Sequence, residues 1–329
     1  MENTNSYISG IGSYLPSQIL TNKDLEKIVD TTDEWIVTRT GIKQRYIAAK
    51  EQTTSDLAAK AALSAIEDAE ISSDEIDMII VATFTPDMML PSTAAKVQKN
   101  IGAKNASAFD ISAACSGFIY GLSIAQQFIL SGAMKNILVV GAETITKYVN
   151  WKDRNTCVLF GDGAGAAVVS QNSNGSKILG SHLGADGSPP REWLMLPGSG
   201  SVNGYDENAV NGKKNFIAMN GKEIFKFSIN ILPSIITTVV ENYGMSIKDI
   251  DLIIPHQANR RIIESAAKRL NIPIEKFYMN IERCANTSAA SIPIAMVDAR
   301  RENRVKKGDI IVLAGFGAGL TWGSTLIQY

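Results

Sequence analysis

Histidine and cysteine are scarce in this chain. Its 329 residues hold two histidines, His182 and His256, and three cysteines, Cys115, Cys157 and Cys284. Three scattered thiols are too few for a disulfide framework or a zinc site, and a reducing cytosol would keep them free. Excess charge is lacking too: the formal net charge is −1, which argues against wholesale nucleic-acid binding and leaves room only for a local basic patch. No run long enough to span a bilayer is read, and MENTNSYISG has neither a basic nor an apolar leader segment, so a cytoplasmic protein that avoids membranes is expected. Nucleotide loops are missing as well. Gly161-Asp162-Gly163-Ala164-Gly165 is not followed by Lys-Ser/Thr, and Gly315-Phe316-Gly317-Ala318-Gly319 is followed by no crossover helix, so neither fits a phosphate-binding or dinucleotide fold.

What remains is a globular composition, 45% hydrophobic and 20% charged, with apolar runs alternating between strand and helix character. Tyr7 to Tyr14 alternates as a strand. Thr21 to Asp24 offers caps for a helix through LEKIV, and a second helix is expected over Asp33 to Val37. Thr53 to Ala69 is rich in Ala and Leu and reads as helix. IDMIIVATF is apolar on both faces and reads as a strand covered on both sides. A loop from Thr85 to Pro91 leads to a helix over Ser92 to Asn100, then come the Cys115 helix and a strand from Ile137 to Val140. Lys222 to Tyr243 is amphipathic helix. The series indicates an α/β sheet covered by helices.

The pattern then repeats. IDMII at 76–80 is answered by IDLII at 250–254, an offset of 174; ILVVG at 137–141 is answered by IVLAG at 311–315, again 174; Ser112-Ala113-Ala114-Cys115 is answered by Ser288-Ala289-Ala290-Ser291, an offset of 176. Two similar halves, 1–174 and 175–329, are expected, with Ser291 in place of the thiol and a cleft between them suited to a site. Gly184 to Asn215, rich in Gly, Ser, Asn and Pro, reads as a long loop.

Three side chains stand out for chemistry. Cys115 follows an apolar run and opens a helical period (Phe118, Leu122, Ala125, Ile129) that stops at Ser131-Gly132. Amides at a helix N-terminus favour an anion, so its thiolate is expected to form more easily than in a free peptide. His256 follows DLIIP at the carboxyl end of a strand, where α/β folds place their sites. Asn286 lies in the loop opening the helix that holds Ser291. His182 and Cys157 are expected to be structural and Cys284 a buried filler, while the Gly315 cluster could aim an amide N–H at a substrate oxygen.

Taken together, Cys115 in ISAACSGF, His256 and Asn259 in PHQAN, Asn286 in NTSAAS, and the stretches DEWIVTRTGI, FGDGAGAA and GFGAGLTWGS resemble the β-ketoacyl-acyl-carrier-protein synthase III enzymes of the thiolase superfamily. The resemblance implies a five-layered αβαβα fold of two duplicated halves, assembled as a homodimer. It implies a decarboxylative Claisen condensation of an acyl-CoA primer, commonly acetyl-CoA, with malonyl-acyl-carrier protein, which initiates fatty acid synthesis with no metal or redox cofactor; acyl-CoA is a substrate. Cys115, His256 and Asn286 would be catalytic, with the backbone N–H groups of Cys115 and Ala318 as oxyanion hole. Trp35, Arg39, Arg154 and Asn259 would hold coenzyme A. Arg260, Arg261, Lys268 and Arg269 would meet the acidic carrier protein, and Leu90, Phe316 and Leu320 would shape the acyl pocket, Leu90 by reaching across the dimer. Lys222, Leu90, Ala318 and Leu320 depart from residues frequent in the family. A condensing enzyme of secondary metabolism is the nearest alternative; a papain-like hydrolase shares the Cys, His, Asn order but not the local signature.

Overall fold

The computed structural model of the chain describes residues 5–198, 201 and 215–329. Residues 199–200 and 202–214 of the long loop expected between Gly184 and Asn215 therefore lie outside the described residues. The first half supplies strands β1 (Tyr7–Tyr14), β2 (Met78–Ala82), β3 (Ser107–Ile111), β4 (Asn136–Glu143) and β5 (Gly163–Ser170); the second supplies β6 (Ser176–Ala185), β7 (Leu252–Pro255), β8 (Ile310–Gly317) and β9 (Thr321–Gln328). Their hydrogen-bonded order is β7-β8-β9-β6-β1-β5-β4-β2-β3. The halves join at two residue pairs, Tyr7 with Lys177 and Ile8 with Ser176, where β1 meets β6.

Both halves are wired alike. In the first, β2 runs parallel to β3 and β4, and β5 runs antiparallel to β4 and β1; in the second, β7 runs parallel to β8, and β9 antiparallel to β8 and β6. An isolated bridge between Ile253 and Phe277 stands in for a counterpart of β3. The register matches at one offset: Met78 pairs with Ile137, and Leu252, 174 residues later, pairs with Ile311, again 174 later.

Helices form five layers with these strands. Alternate side chains of each strand point to opposite faces. Ile79, Val81, Leu138 and Val140 face one outer layer, made by α2 (Thr54–Asp68) and α3 (Thr93–Ile101). Ile253, Val312 and Ala314 face the other, made by α5 (Gly221–Asn242) and α6 (Arg260–Leu270). Between the sheets, Ile80, Val139, Ile254 and Leu313 enclose α4 (Gly117–Leu130) and α7 (Ser291–Arg301) in a shared core. Each such side chain, wholly withdrawn from water, contributes about 1.5–3 kcal/mol, so the central layer locks the halves together.

Two expectations need correction. The helix expected through LEKIV is short, Asn22–Leu25, with Thr21 as its cap. Helix α5 is long and apolar enough to cross a membrane, although no such run was read; Leu232, Ile235, Ile236, Val239 and Val240 pack on the second sheet instead. Helix α1 spans Asp33–Thr40, three residues beyond the expected end, and Gly41 closes it at φ 81°, a conformation glycine adopts without cost.

Candidate active site

Cys115 sits where β3 gives way to α4, within a single 3₁₀ turn, Ala114–Ser116. Ala114 holds φ 45°, and Ser288 holds φ 50° at the matching place in the second half. Left-handed backbone of this kind is costly for residues with a Cβ and marks a local conformation imposed by its surroundings. The turn Ser288–Ala290 leads into α7 as Ala114–Ser116 leads into α4. The true counterpart of Cys115 is therefore Ala289, at the common offset of 174, and Ser291 answers Gly117. The sequence match of Ser291 to Cys115 was two residues out of register.

This symmetry carries the thiol into the other half. A Cβ on Gly315 would lie 3.3 Å from the Cys115 carbonyl oxygen, and one on Gly317 only 2.7 Å from the Cys115 nitrogen. Conversely, a Cβ on Gly141 would lie 2.3 Å from the Ala289 carbonyl oxygen. Each half's strand glycine thus touches the helix start of the other. The backbone at Gly317, the residue before Ala318, is brought against Cys115.

The thiol itself is 7% exposed. Burial pushes it up to about 12, with the Ser288 hydroxyl pulling the other way and the Glu143 carboxyl adding to the rise. That direction runs against the expected easing of the thiolate, with loss of water as its largest cause.

His256 follows the last residue of β7 and donates its backbone N–H to Ala314 O at 2.7 Å. Its Nδ1 lies 2.7 Å from Ser291 Oγ, and its ring meets Phe316 edge to face at 5.5 Å. Burial pushes the imidazole down to about 3, so it is neutral. Asn286 is tied to the first half, its N–H donating to Leu159 O and its carbonyl accepting from Gly161 N–H, each at 3.0 Å. Its Oδ1 accepts from Ser288 N–H at 2.9 Å. That bond fixes the amide's orientation and leaves Nδ2 as the end able to donate.

Two cavities meet at Cys115. A narrow one is shared by Cys115, His256, Asn286, Phe316 and Asn259. The other, about 680 Å³, is walled by Phe84, Met88, Met89, Ile111 and Ala318. Phe316 stands with His256 in the narrow cavity rather than in the wide one. Leu90, 85% exposed, and Leu320, 5% exposed, are absent from the described wall of either.

Trp35, on α1, lies beneath two guanidinium groups, Arg39 at 4.5 Å and Arg154 at 4.8 Å from its ring centre. Asn259 caps α6 through Arg261 N–H and donates Nδ2 to Arg39 O at 3.0 Å, joining this cluster to the narrow cavity. On α6, Arg260 pairs with Glu264 at 2.8 Å and Arg261 covers Phe225 at 5.4 Å. Lys268 is exposed, whereas Arg269 donates to Ile229 O and Asn230 Oδ1 on α5. Lys222 is exposed in the first turn of α5. Cys157 is wholly buried, Cys284 packs with Ala290 and Ile294, and His182 lies opposite Ser324 within the sheet. Among the described residues, no cluster of His, Cys, Asp and Glu could hold a metal ion.

One group escaped the sequence reading. Glu143 ends β4 with no exposure, accepting from Thr83 Oγ1 and Thr85 N–H at 3.1 Å and from Phe84 N–H at 3.3 Å. Burial pushes its carboxyl up to about 8 against those donors. A glutamate closing the apolar run ILVVGA was the available signal.

Known proteins share this architecture. Residues 109–187 match the family profile of 3-oxoacyl-[acyl-carrier-protein] synthase III, and residues 240–329 match that of its C-terminal part. The β-ketoacyl-[acyl-carrier-protein] synthase III of Caldanaerobacter subterraneus subsp. tengcongensis is 56% identical, over 98% of this chain and 97% of its own. This chain belongs to the 3-oxoacyl-acyl-carrier-protein synthase III family. A synthase III of Clostridioides difficile is 51% identical over 99% of both chains. The crystal structure of a synthase III from Aquifex aeolicus superposes with a TM-score of 0.90 at 50% identity, over 98% of this chain and 100% of that one. Its likeness extends across both duplicated halves, so the five-layered architecture is that of the synthase III fold.

Proposed function

We propose that the chain condenses an acyl-CoA primer, with acetyl-CoA the expected one, with malonyl-acyl-carrier protein, starting fatty acid synthesis through an acyl group held on Cys115. The observation that carries this is the meeting of Cys115, His256 and Asn286 at one narrow cavity, with Nδ1 of the imidazole and Oδ1 of the amide both tied back into the protein. The remaining ring nitrogen and amide nitrogen are left for a ligand beside the sulfur.

The steps follow from that geometry. Cys115 attacks the thioester carbonyl of the primer, and the C–S bond to coenzyme A breaks; the thiol proton leaves on the coenzyme A sulfur. Splitting the transfer in two replaces one difficult step by two easier ones. Malonyl thioester then enters. Its C–CO₂ bond breaks, the electron pair passes into an enolate, and His256 and Asn286 donate to the enolate oxygen where charge develops. The enolate carbon attacks the acyl-Cys115 carbonyl, whose oxygen is met by the N–H groups of Cys115 and Ala318. Collapse expels the Cys115 thiolate, which takes up a proton. The new bond draws its electrons from the departing carboxylate, so the chemistry closes without a redox or metal cofactor.

The same reading assigns Trp35, Arg39, Arg154 and Asn259 to coenzyme A. Arg260, Arg261 and Lys268 would meet the carrier protein, with Arg269 engaged mainly by α5. Leu90, 85% exposed, suits the wall of a partner's cavity in a cytoplasmic homodimer. The halves divide at 174/175, between β5 and β6. Incubation with acetyl-CoA followed by intact-mass analysis tests the reading. An acetyl adduct on Cys115, discharged as acetoacetyl-carrier protein on addition of malonyl-carrier protein, is expected; release as free acetate would mark a hydrolase.

A further inference from the structure

Ser291 occupies a position with no polar role in the other half. Its counterpart, Gly117, and the counterpart of His256, Ala82, also touch: a Cβ on Gly117 would come within 2.9 Å of the Ala82 Cβ. What is a contact of small apolar residues in one half is a 2.7 Å hydrogen bond between Ser291 Oγ and His256 Nδ1 in the other. Cap chemistry does not account for the serine, since the N-cap of α7 is Ala290 and Ser291 is the first residue of the helix.

Hydrogen-bond accounting fixes the direction of that bond. Ser291 Oγ also accepts from the Gln257 N–H at 3.4 Å. Among the described residues it has no carbonyl or carboxylate acceptor. If Nδ1 carried the ring proton, the buried serine hydroxyl would receive two N–H groups and its own proton would have no partner, which a buried donor rarely tolerates. With the serine donating to Nδ1, the hydroxyl, Nδ1 and the Gln257 N–H are all paired.

We propose that Ser291 is a positioning residue that holds His256 in the tautomer carrying its proton on Nε2, so that the imidazole presents a donor to the cavity. This rests on the proposed condensation, where that donor would meet the enolate oxygen. It is not a catalytic residue itself, acting only through the ring. Burial keeps the ring neutral, which makes the choice of tautomer decisive: the other form would aim a lone pair at the developing negative charge.

The test uses ¹⁵N-histidine-labelled enzyme. With two histidines in the chain, His182→Gln leaves His256 as the remaining histidine signal. A single Nε2–H tautomer is expected in the native enzyme, a mixture in Ser291→Ala and recovery in Ser291→Thr. Decarboxylation of malonyl-carrier protein should fall about tenfold or more in Ser291→Ala, with Cys115 acylation within about threefold of the native rate, and Ser291→Thr should restore it. A native Nδ1–H tautomer would overturn the proposal whether or not Ser291→Ala folds. So would unchanged tautomer and decarboxylation in a folded Ser291→Ala. If the native enzyme neither acylates Cys115 nor decarboxylates malonyl thioester, the condensation reading fails, while the NMR signal still decides the hydrogen bond.

Discussion

At Cys115 two local effects oppose one another, and their balance sets how the nucleophile behaves. The helix start offers backbone amides, a partial charge worth about 0.3–1 kcal/mol at exposed sites. Burial costs more, and the thiol is pushed up to about 12. Alkylation of Cys115 by iodoacetamide, followed by peptide mass analysis, should therefore accelerate steadily from pH 7 to pH 10. A rate already level below pH 8 would show a standing thiolate and contradict this account. The contributions of Asn286 and Cys115 should separate as well: Asn286→Ala is expected to lower condensation by about a hundredfold while leaving the acyl adduct on Cys115 detectable by intact mass. Cys115, His256 and Asn286 were legible in the sequence because each stands beside a strand end or helix start. Glu143 and the contact of Ser291 with His256 were not. A serine opening a helix and a glutamate ending a strand look ordinary until their partners, from distant segments, are seen.

Among the elements, the strand-to-helix junctions decide the site. Gly317 lies in β8 against the junction of β3 and α4, where any Cβ would fall 2.7 Å from the Cys115 nitrogen. Gly317→Ala should therefore push this turn aside and cost at least tenfold in Cys115 acylation by acetyl-CoA. Native acylation kinetics in a folded Gly317→Ala protein would show that the close approach is dispensable. At α6, Asn259 caps the helix and bonds to Arg39 beside Trp35, so Asn259→Ala should remove about 1 kcal/mol of stability and, on the proposed assignment of that cluster to coenzyme A, raise the KM for acetyl-CoA. Thermal melting and initial-rate kinetics measure the two effects separately. Apolar periodicity made these elements readable: IDMII was expected to be covered on both faces, and Met78–Ala82 is wholly buried. The register of the repeat was harder to read at the junctions, because Ser and Ala recur there so densely that a match displaced by two residues looks as good as the true one. Backbone shape, in the paired left-handed residues Ala114 and Ser288, resolves it.

For the molecule as a whole, duplication explains why a thiol from one half meets an imidazole and an amide from the other. Alternating runs in the sequence implied an α/β sheet covered by helices, and the repeat implied two similar halves. Their crossing contacts, Gly315 on Cys115 and Gly141 on Ala289, depend on three-dimensional symmetry that linear spacing does not express. Buried titrating groups should also leave opposite marks on global stability. Glu143 is raised from 4.5 to about 8, so folding favours its protonated form; its contribution is complete below about pH 4.5 and is lost as pH rises through 8. His256 is lowered from 6.5 to about 3, so its contribution is present above pH 6.5 and is lost as pH falls through 3. Denaturant unfolding at pH 5 and pH 8 should show Glu143→Gln losing less stability on the alkaline side than the native chain, by a few kcal/mol. Equal losses would remove Glu143 from that balance.

The most direct test of a sulfur in one half served by donors in the other is to assay both half-reactions in Cys115→Ala and His256→Ala. Cys115→Ala should accept no acyl group yet still decarboxylate malonyl-carrier protein, and His256→Ala should become acylated yet fail to decarboxylate. Loss of both half-reactions in each folded variant would contradict that division of labour.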